Sequence, residues 1–259
     1  MSKHPNPPLV VFSMGKTGST AVARALADAT GGRVFQVFRL DGAQLAAAEQ
    51  RYRSRARDPR GGTPFPGAYH LWEAEYLCAR LPTAAAPWNV VTTVREPVAQ
   101  AVSAFFHGRG RRPDADLAST AALVDDLVAE NWIRRPLRWF EREFAPALGI
   151  DVYDCAFDAA VGHAVVETPA VRLLLLRQEN LDAAPYALGS FLRLGRPVPV
   201  PHRNEAASTP YAATYRDFVA HAALPPSLLD TAYGSRYARH FYTPSEIRRY
   251  RERWSRSGQ

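Results

Sequence analysis

Residues Leu9 to Leu26 restrict the possible folds of this chain more than any other stretch. An apolar run, Leu9-Val10-Val11-Phe12, leads into Met14-Gly15-Lys16-Thr17-Gly18-Ser19-Thr20, and small residues and helix formers from Ala21 to Leu26 lead out. The apolar run predicts a short buried strand and the exit a helix. Strand, glycine-bearing loop and helix together make a cradle for phosphate. The glycines let backbone approach a ligand, and the helix N-terminus offers N–H groups and partial positive charge. Ser19 and Thr20 can cap the helix and offer hydroxyls. The spacing is not that of the ATPase loop, which needs lysine directly before its last Ser/Thr and a glycine five residues after the first. Only two of the 32 basic residues are lysine, Lys3 and Lys16. A lysine here asks for a compact ammonium where the chain otherwise uses guanidinium forks.

Downstream, strands alternate with helices. Strands are expected at Arg33–Leu40, Ala68–Leu71, Asn89–Arg95, Val152–Phe157 and Ala170–Leu176. Helices are expected from Asp41 to about Arg57, Trp72–Leu81, from Pro97, Ser119–Asn131, Leu137–Leu148 and Tyr186–Leu194. Two more begin at Thr209-Pro210 and at the capping box Thr243-Pro244-Ser245-Glu246. This order predicts an α/β protein: a three-layer, P-loop-like fold with a parallel sheet flanked by helices and a helical C-terminal region. One domain over residues 1–259 is expected, with 1–8 a flexible arm. Ligands in such folds sit at the carboxyl ends of the strands. Gly15 to Thr20, Asp41, His70 and Arg95 all fall at those ends, so they are expected to meet in one crevice suited to a polyanion.

The net charge of +7 fits an anionic ligand. The charge is spread along the chain, without the aromatic platforms of RNA-binding modules, so nucleic acid is not the expected partner. The arginine runs Arg109–Arg112 and Arg196–Arg203 read as solvated faces or as contacts to an anionic acceptor or nucleotide. No apolar run approaches the roughly 18 residues needed to span a membrane. Cys78 and Cys155 read as reduced core residues, and the polar N-terminus lacks a signal-peptide core. A cytoplasmic protein is expected; the number of subunits is open.

A second constellation follows the Asn89–Arg95 strand: Arg95-Glu96-Pro97 and, two turns into the next helix, Ser103. An arginine and a serine so placed can hold a second phosphate, the arginine through two oxygens. Alternatively, Arg95 pairs with Glu96 and Ser103 faces the core.

Lysine loop and Arg-x-Pro…Ser segment together resemble the two signature elements of sulfotransferases that use PAPS (3′-phosphoadenosine 5′-phosphosulfate). Val171–Leu181 is similar to the late strand and turn of these enzymes. Tyr233–Trp254, with His240-Phe241-Tyr242-Thr243, resembles the bacterial group labelled putative capsular polysaccharide synthesis proteins. The resemblance implies transfer of a sulfuryl group from PAPS to a hydroxyl on a glycan or small-molecule acceptor, without a metal. It implies that Lys16 contacts the bridging oxygen of the leaving phosphate and that Gly15, Thr17, Gly18, Ser19 and Thr20 hold the 5′-phosphate. Arg95 and Ser103 would hold the 3′-phosphate. Three candidates stand for the base: His70, then Asp41, whose other reading is a helix cap, then Glu73. Two other functions compete: a nucleotide-dependent phosphotransferase with an atypical P-loop, Thr17 holding magnesium, and a non-catalytic nucleotide-binding module.

Overall fold

A computed structural model describes residues 8–56, 68–80, 87–110, 119–201 and 209–255. The expected arm up to residue 7, the loop at 58–66, and residues 111–112 and 202–203 of the arginine runs lie outside the described residues. The chain divides into two compact units: residues up to 94 with 139–155 and 163–201, and residues 95–138 with 156–162 and 202 onward.

The first unit carries a five-stranded sheet in the order β2-β1-β3-β5-β4. Its strands are β1 (Leu9–Phe12), β2 (Val34–Val37), β3 (Trp88–Val94), β4 (His163–Glu167) and β5 (Val171–Arg177). β2, β1, β3 and β5 run parallel, and β4 lies antiparallel on β5. β1 is apolar throughout, and Val90, Val91 and Val94 of β3 and Leu173 to Leu176 of β5 are buried, as in strands covered on both faces. Val11, Val91 and Leu174 share a core cluster with Val22 and Leu26 of α1 (Ser19–Thr30) and with Leu188 and Phe191 of α8 (Ala184–Phe191). Phe12, one residue along β1 and so on the other face, packs its ring on Trp139 and Phe144, with centroids 5.0 and 5.3 Å away. The α/β class stands; of the expected parallel sheet, four strands are parallel and β4 is antiparallel.

Three expected elements differ. Residues 68–71 are not a strand; they open helix α3 (Ala68–Cys78), which follows α2 (Gly42–Ala56). In α3, Ala74 and Leu77 are buried three residues apart, a helical spacing. Residues 152–157 hold a 3₁₀ turn, Val152–Asp154, because the Asp151 side chain accepts from Tyr153 N–H and caps it. The edge strand is β4 instead. Its polar ends, His163 and Glu167, and its half-exposed residues hid it from a hydrophobic reading. The helix expected at 137–148 is α6 (Arg134–Trp139), a π turn (Phe140–Phe144) and α7 (Ala145–Leu148). Pro146 has no N–H to continue the ladder, and the Ala145 N–H bonds Phe140 O, five residues back.

The second unit is helical: α4 (Pro97–Arg109), α5 (Thr120–Ala129), most of α6, α9 (Ala212–His221), α10 (Pro226–Tyr233), α11 (Arg236–Phe241) and α12 (Pro244–Ser255). Phe105, Phe106, Leu127, Trp132, Phe218 and Trp254 form its core. The capping box at α12 is complete: Thr243 N–H donates to Glu246 and Glu246 N–H to Thr243 Oγ1, at 2.9 and 3.3 Å. α10 and α11, which the sequence reading missed, start behind Pro225 and at the Ser235 cap.

Candidate anion-binding site

β1 ends at Phe12, and the next residues tie the loop to β3 through buried hydroxyls. Ser13 Oγ accepts the Thr93 N–H at 2.8 Å and lies 3.1 Å from Thr93 Oγ1. Thr17 Oγ1 lies 2.7 Å from Thr93 Oγ1 and donates to Met14 O at 2.9 Å. Ser13, Thr17, Thr92 and Thr93 have no exposed surface. Thr17 therefore offers a ligand its backbone; its hydroxyl is turned inward.

Two loop residues take left-handed backbone: Gly18 at φ 81° and Lys16 at φ 69°. Glycine adopts this freely, and a Cβ at Gly18 would also meet Leu181 Cδ1 at 3.1 Å and Gln178 Cγ at 3.4 Å, on the turn after β5. For lysine it costs about 1–2 kcal/mol. Asn131 and Arg193 are left-handed too, at φ 51° and 56°; what sets Lys16 apart is its place on the loop between β1 and α1. A Cβ at Gly15 would meet nothing within 4 Å, so that side of the loop is open to a ligand.

Gly18, not Ser19 or Thr20, is the N-cap of α1, and no side chain caps the helix. Ser19 and Thr20 hydroxyls both accept from Gln36 Nε2, at 3.1 and 3.0 Å. Gln36 is the one polar residue of β2, a signal available to sequence reading and missed.

Gln36 also explains His70 and Glu73. β2 is an edge strand, and the Gln36 backbone groups face away from β1, where no strand pairs with them. α3 covers them: His70 Nδ1 bonds Gln36 O at 2.7 Å, and Gln36 N–H donates to Glu73 Oε2 at 3.3 Å. A carbonyl only accepts, so Nδ1 carries the proton, which in the neutral ring places the lone pair on Nε2. His70 sits in the first turn of a helix, not at a strand end, and its ring meets Phe38 edge-on at 4.7 Å. Glu73, 4 % exposed, pairs with Arg33 at 3.5 Å and is a strand-edge partner. Asp41 Oδ1 accepts Gln44 N–H at 3.0 Å, the cap of α2.

The other phosphate candidates, Arg95 and Ser103, belong to the second unit. Glu96 caps α4: its carboxylate takes Val98 and Ala99 N–H at 2.7 Å each, Tyr233 OH at 2.8 Å and Trp254 Nε1–H at 3.2 Å. Burial, then the Glu96 charge and hydrogen bond, push the Tyr233 phenol far above its ordinary range. Tyr237 OH accepts from Arg95 N–H at 3.1 Å and donates to Arg95 O at 2.8 Å. Ser103 is 8 % exposed on α4, and its hydroxyl has no hydrogen-bond partner among the described residues. No group of three or more metal-ligating side chains occurs among the described residues, and no described helix is long and apolar enough to cross a membrane.

Residues 114–243 match the model of the family described as putative capsular polysaccharide synthesis protein. The match takes in much of the second unit and stops at Thr243, short of α12. No curated protein and no solved structure gives a significant match.

Proposed function

Because this chain belongs to the family of putative capsular polysaccharide synthesis proteins, we propose that it acts in glycan assembly as a PAPS-dependent sulfotransferase. The acceptor is a glycan hydroxyl. The observation that carries the proposal is Lys16: a left-handed lysine on a loop tied to β3, ahead of a helix N-terminus with no side-chain cap. Strain at that position has a use if an ammonium must stand at one point beside an anion.

Bound PAPS supplies the sulfuryl group. Lys16 opposes the negative charge that gathers on the leaving phosphate oxygen, and the N–H groups at the start of α1 hold the 5′-phosphate. For the 3′-phosphate, the resemblance to PAPS-dependent sulfotransferases offers Arg95 and Ser103, both in the second unit. His70 takes the acceptor proton at Nε2, Gln36 O holding the ring from behind. The cap at Asp41 and the strand edge at Glu73 already occupy those carboxylates.

The phosphotransferase reading needs Thr17 Oγ1 on magnesium, and that hydroxyl is buried and donated to Met14 O. Calorimetric titration with 3′-phosphoadenosine 5′-phosphate, 5′-AMP and ATP tests the choice. Binding that needs the 3′-phosphate and collapses in Arg95→Ala supports the sulfotransferase. Preference for ATP, strengthened by magnesium, sinks it.

A further inference from the structure

We infer that Tyr237 is a positioning residue that sets Arg95 for a second phosphate on the ligand. The inference rests on the nucleotide reading above. Its own ground is the pair of hydrogen bonds between one phenol and both backbone groups of Arg95.

Only Arg95 and Glu96 separate β3 from α4, so they turn the chain with no ladder of their own. A phenol has one proton and free lone pairs, enough to serve one N–H and one C=O. Tyr237 does both, accepting the Arg95 N–H and donating to the Arg95 carbonyl. With Glu96 gripped by Tyr233 and Trp254, both residues of the turn are held by side chains of α10, α11 and α12.

Tyr237 is itself immobilised. It is 1 % exposed, its ring lies 5.1 Å from that of Phe241, and Phe241 meets Phe157 at 5.1 Å. The Ser235 hydroxyl accepts the Ala238 N–H at 3.1 Å and caps the short helix that carries it. A bidentate arginine grips phosphate only if its Cα is held to a fraction of an ångström. Fixing both peptide groups of Arg95 does that from 142 residues away in sequence.

The test is Tyr237→Phe, read by calorimetry with 3′-phosphoadenosine 5′-phosphate against 5′-AMP. AMP lacks the 3′-phosphate, so it reports on the rest of the site. A merely structural role moves both affinities together. The expected result is a roughly tenfold fall in the preference for the 3′-phosphorylated nucleotide, with AMP affinity within about twofold of the parent, since one to two lost hydrogen bonds are worth about that factor. An unchanged preference overturns the inference and leaves the nucleotide reading standing. A parent protein that does not distinguish the two nucleotides overturns the reading and the inference with it. Should Tyr237→Phe not fold, amide exchange in the parent decides. Slow exchange at the Arg95 N–H, comparable to β3, supports the clamp, and exchange as fast as in exposed turns overturns it.

Discussion

The hydroxyls of Thr17 and Thr93 lie 2.7 Å apart, and neither residue has any exposed surface. One stands on the loop after β1 and the other on β3, so this contact fixes the loop to the sheet. Thr93→Val keeps the shape and deletes the hydroxyl, leaving Thr17 and Ser13 one partner short. The expected cost is about 1–3 kcal/mol, read from urea unfolding. Nucleotide affinity should fall with it; full affinity would mean that the loop does not depend on this anchor.

Lys16 gives the opposite sign. Lys16→Gly relieves about 1–2 kcal/mol of left-handed strain, against up to about 1 kcal/mol for the extra freedom of glycine in the unfolded chain. Stability should hold or rise slightly, while the proposed sulfuryl transfer is lost. Unfolding and turnover measured on one preparation check the pair of results. A less stable but active variant would show that the lysine serves the fold.

His70→Gln can keep the bond to Gln36 O through its amide N–H and removes the ring nitrogen that would take the acceptor proton. Turnover is expected to drop about 10²–10⁴-fold. Glu73→Gln changes the edge of β2 but not the proton acceptor, so its turnover should stay near the parent's. Equal turnover in parent and His70→Gln would remove His70 from the mechanism.

Glu96 accepts four hydrogen bonds at 3 % exposure. Glu96→Ala strips the cap of α4 and orphans Tyr233 and Trp254, at an expected cost of about 3 kcal/mol or more, from a lost cap and buried groups without partners. Trp254→Phe deletes one of the four bonds and should cost about 1 kcal/mol. Equal losses in both would mean that the cost lies in packing.

The Tyr233 phenol is raised in the fold by burial and by Glu96. Unfolded, it ionises near pH 10. Above that pH the unfolded chain binds fewer protons than the folded one, so stability falls as pH rises. Cys78, raised by burial and then by Asp41 and Glu75, adds to the same slope from about pH 8.5. Tyr233→Phe should start less stable near pH 8, through its lost bond to Glu96, and decline more slowly toward pH 11. Parallel decline in parent and variant would show that Tyr233 contributes nothing to alkaline unfolding.

Some of this was open to reading in the chain itself. The run Leu9–Phe12 read as a buried strand because nothing polar interrupts it, and Ala170–Leu176 because only Arg172 does. Of Gly15 to Thr20, read as one loop, Gly15 to Gly18 form the turn and Ser19 and Thr20 open α1. Asp41 was recognisable as a cap, and Thr243 with Glu246 as a capping box, because caps depend on residues three apart. Local chemistry decides such features, and sequence records local chemistry.

Other features depend on partners far along the chain. His70 looked like a strand-end base; its bond to Gln36 O exists because β2 is an edge strand, and strand order is a property of the whole sheet. Thr17 looked like a ligand hydroxyl until Thr93, 76 residues on, took its place beside it. Glu96 looked like a partner for Arg95; the structure shows it as the cap of α4, held by side chains 137 and 158 residues away. The sequence by itself determined the strand–loop–helix core, its lysine and the caps at Asp41 and Thr243. Tertiary structure decided which hydroxyls face inward, which backbone groups the edge leaves exposed and what holds Arg95, because each is a matter of long-range hydrogen-bond satisfaction.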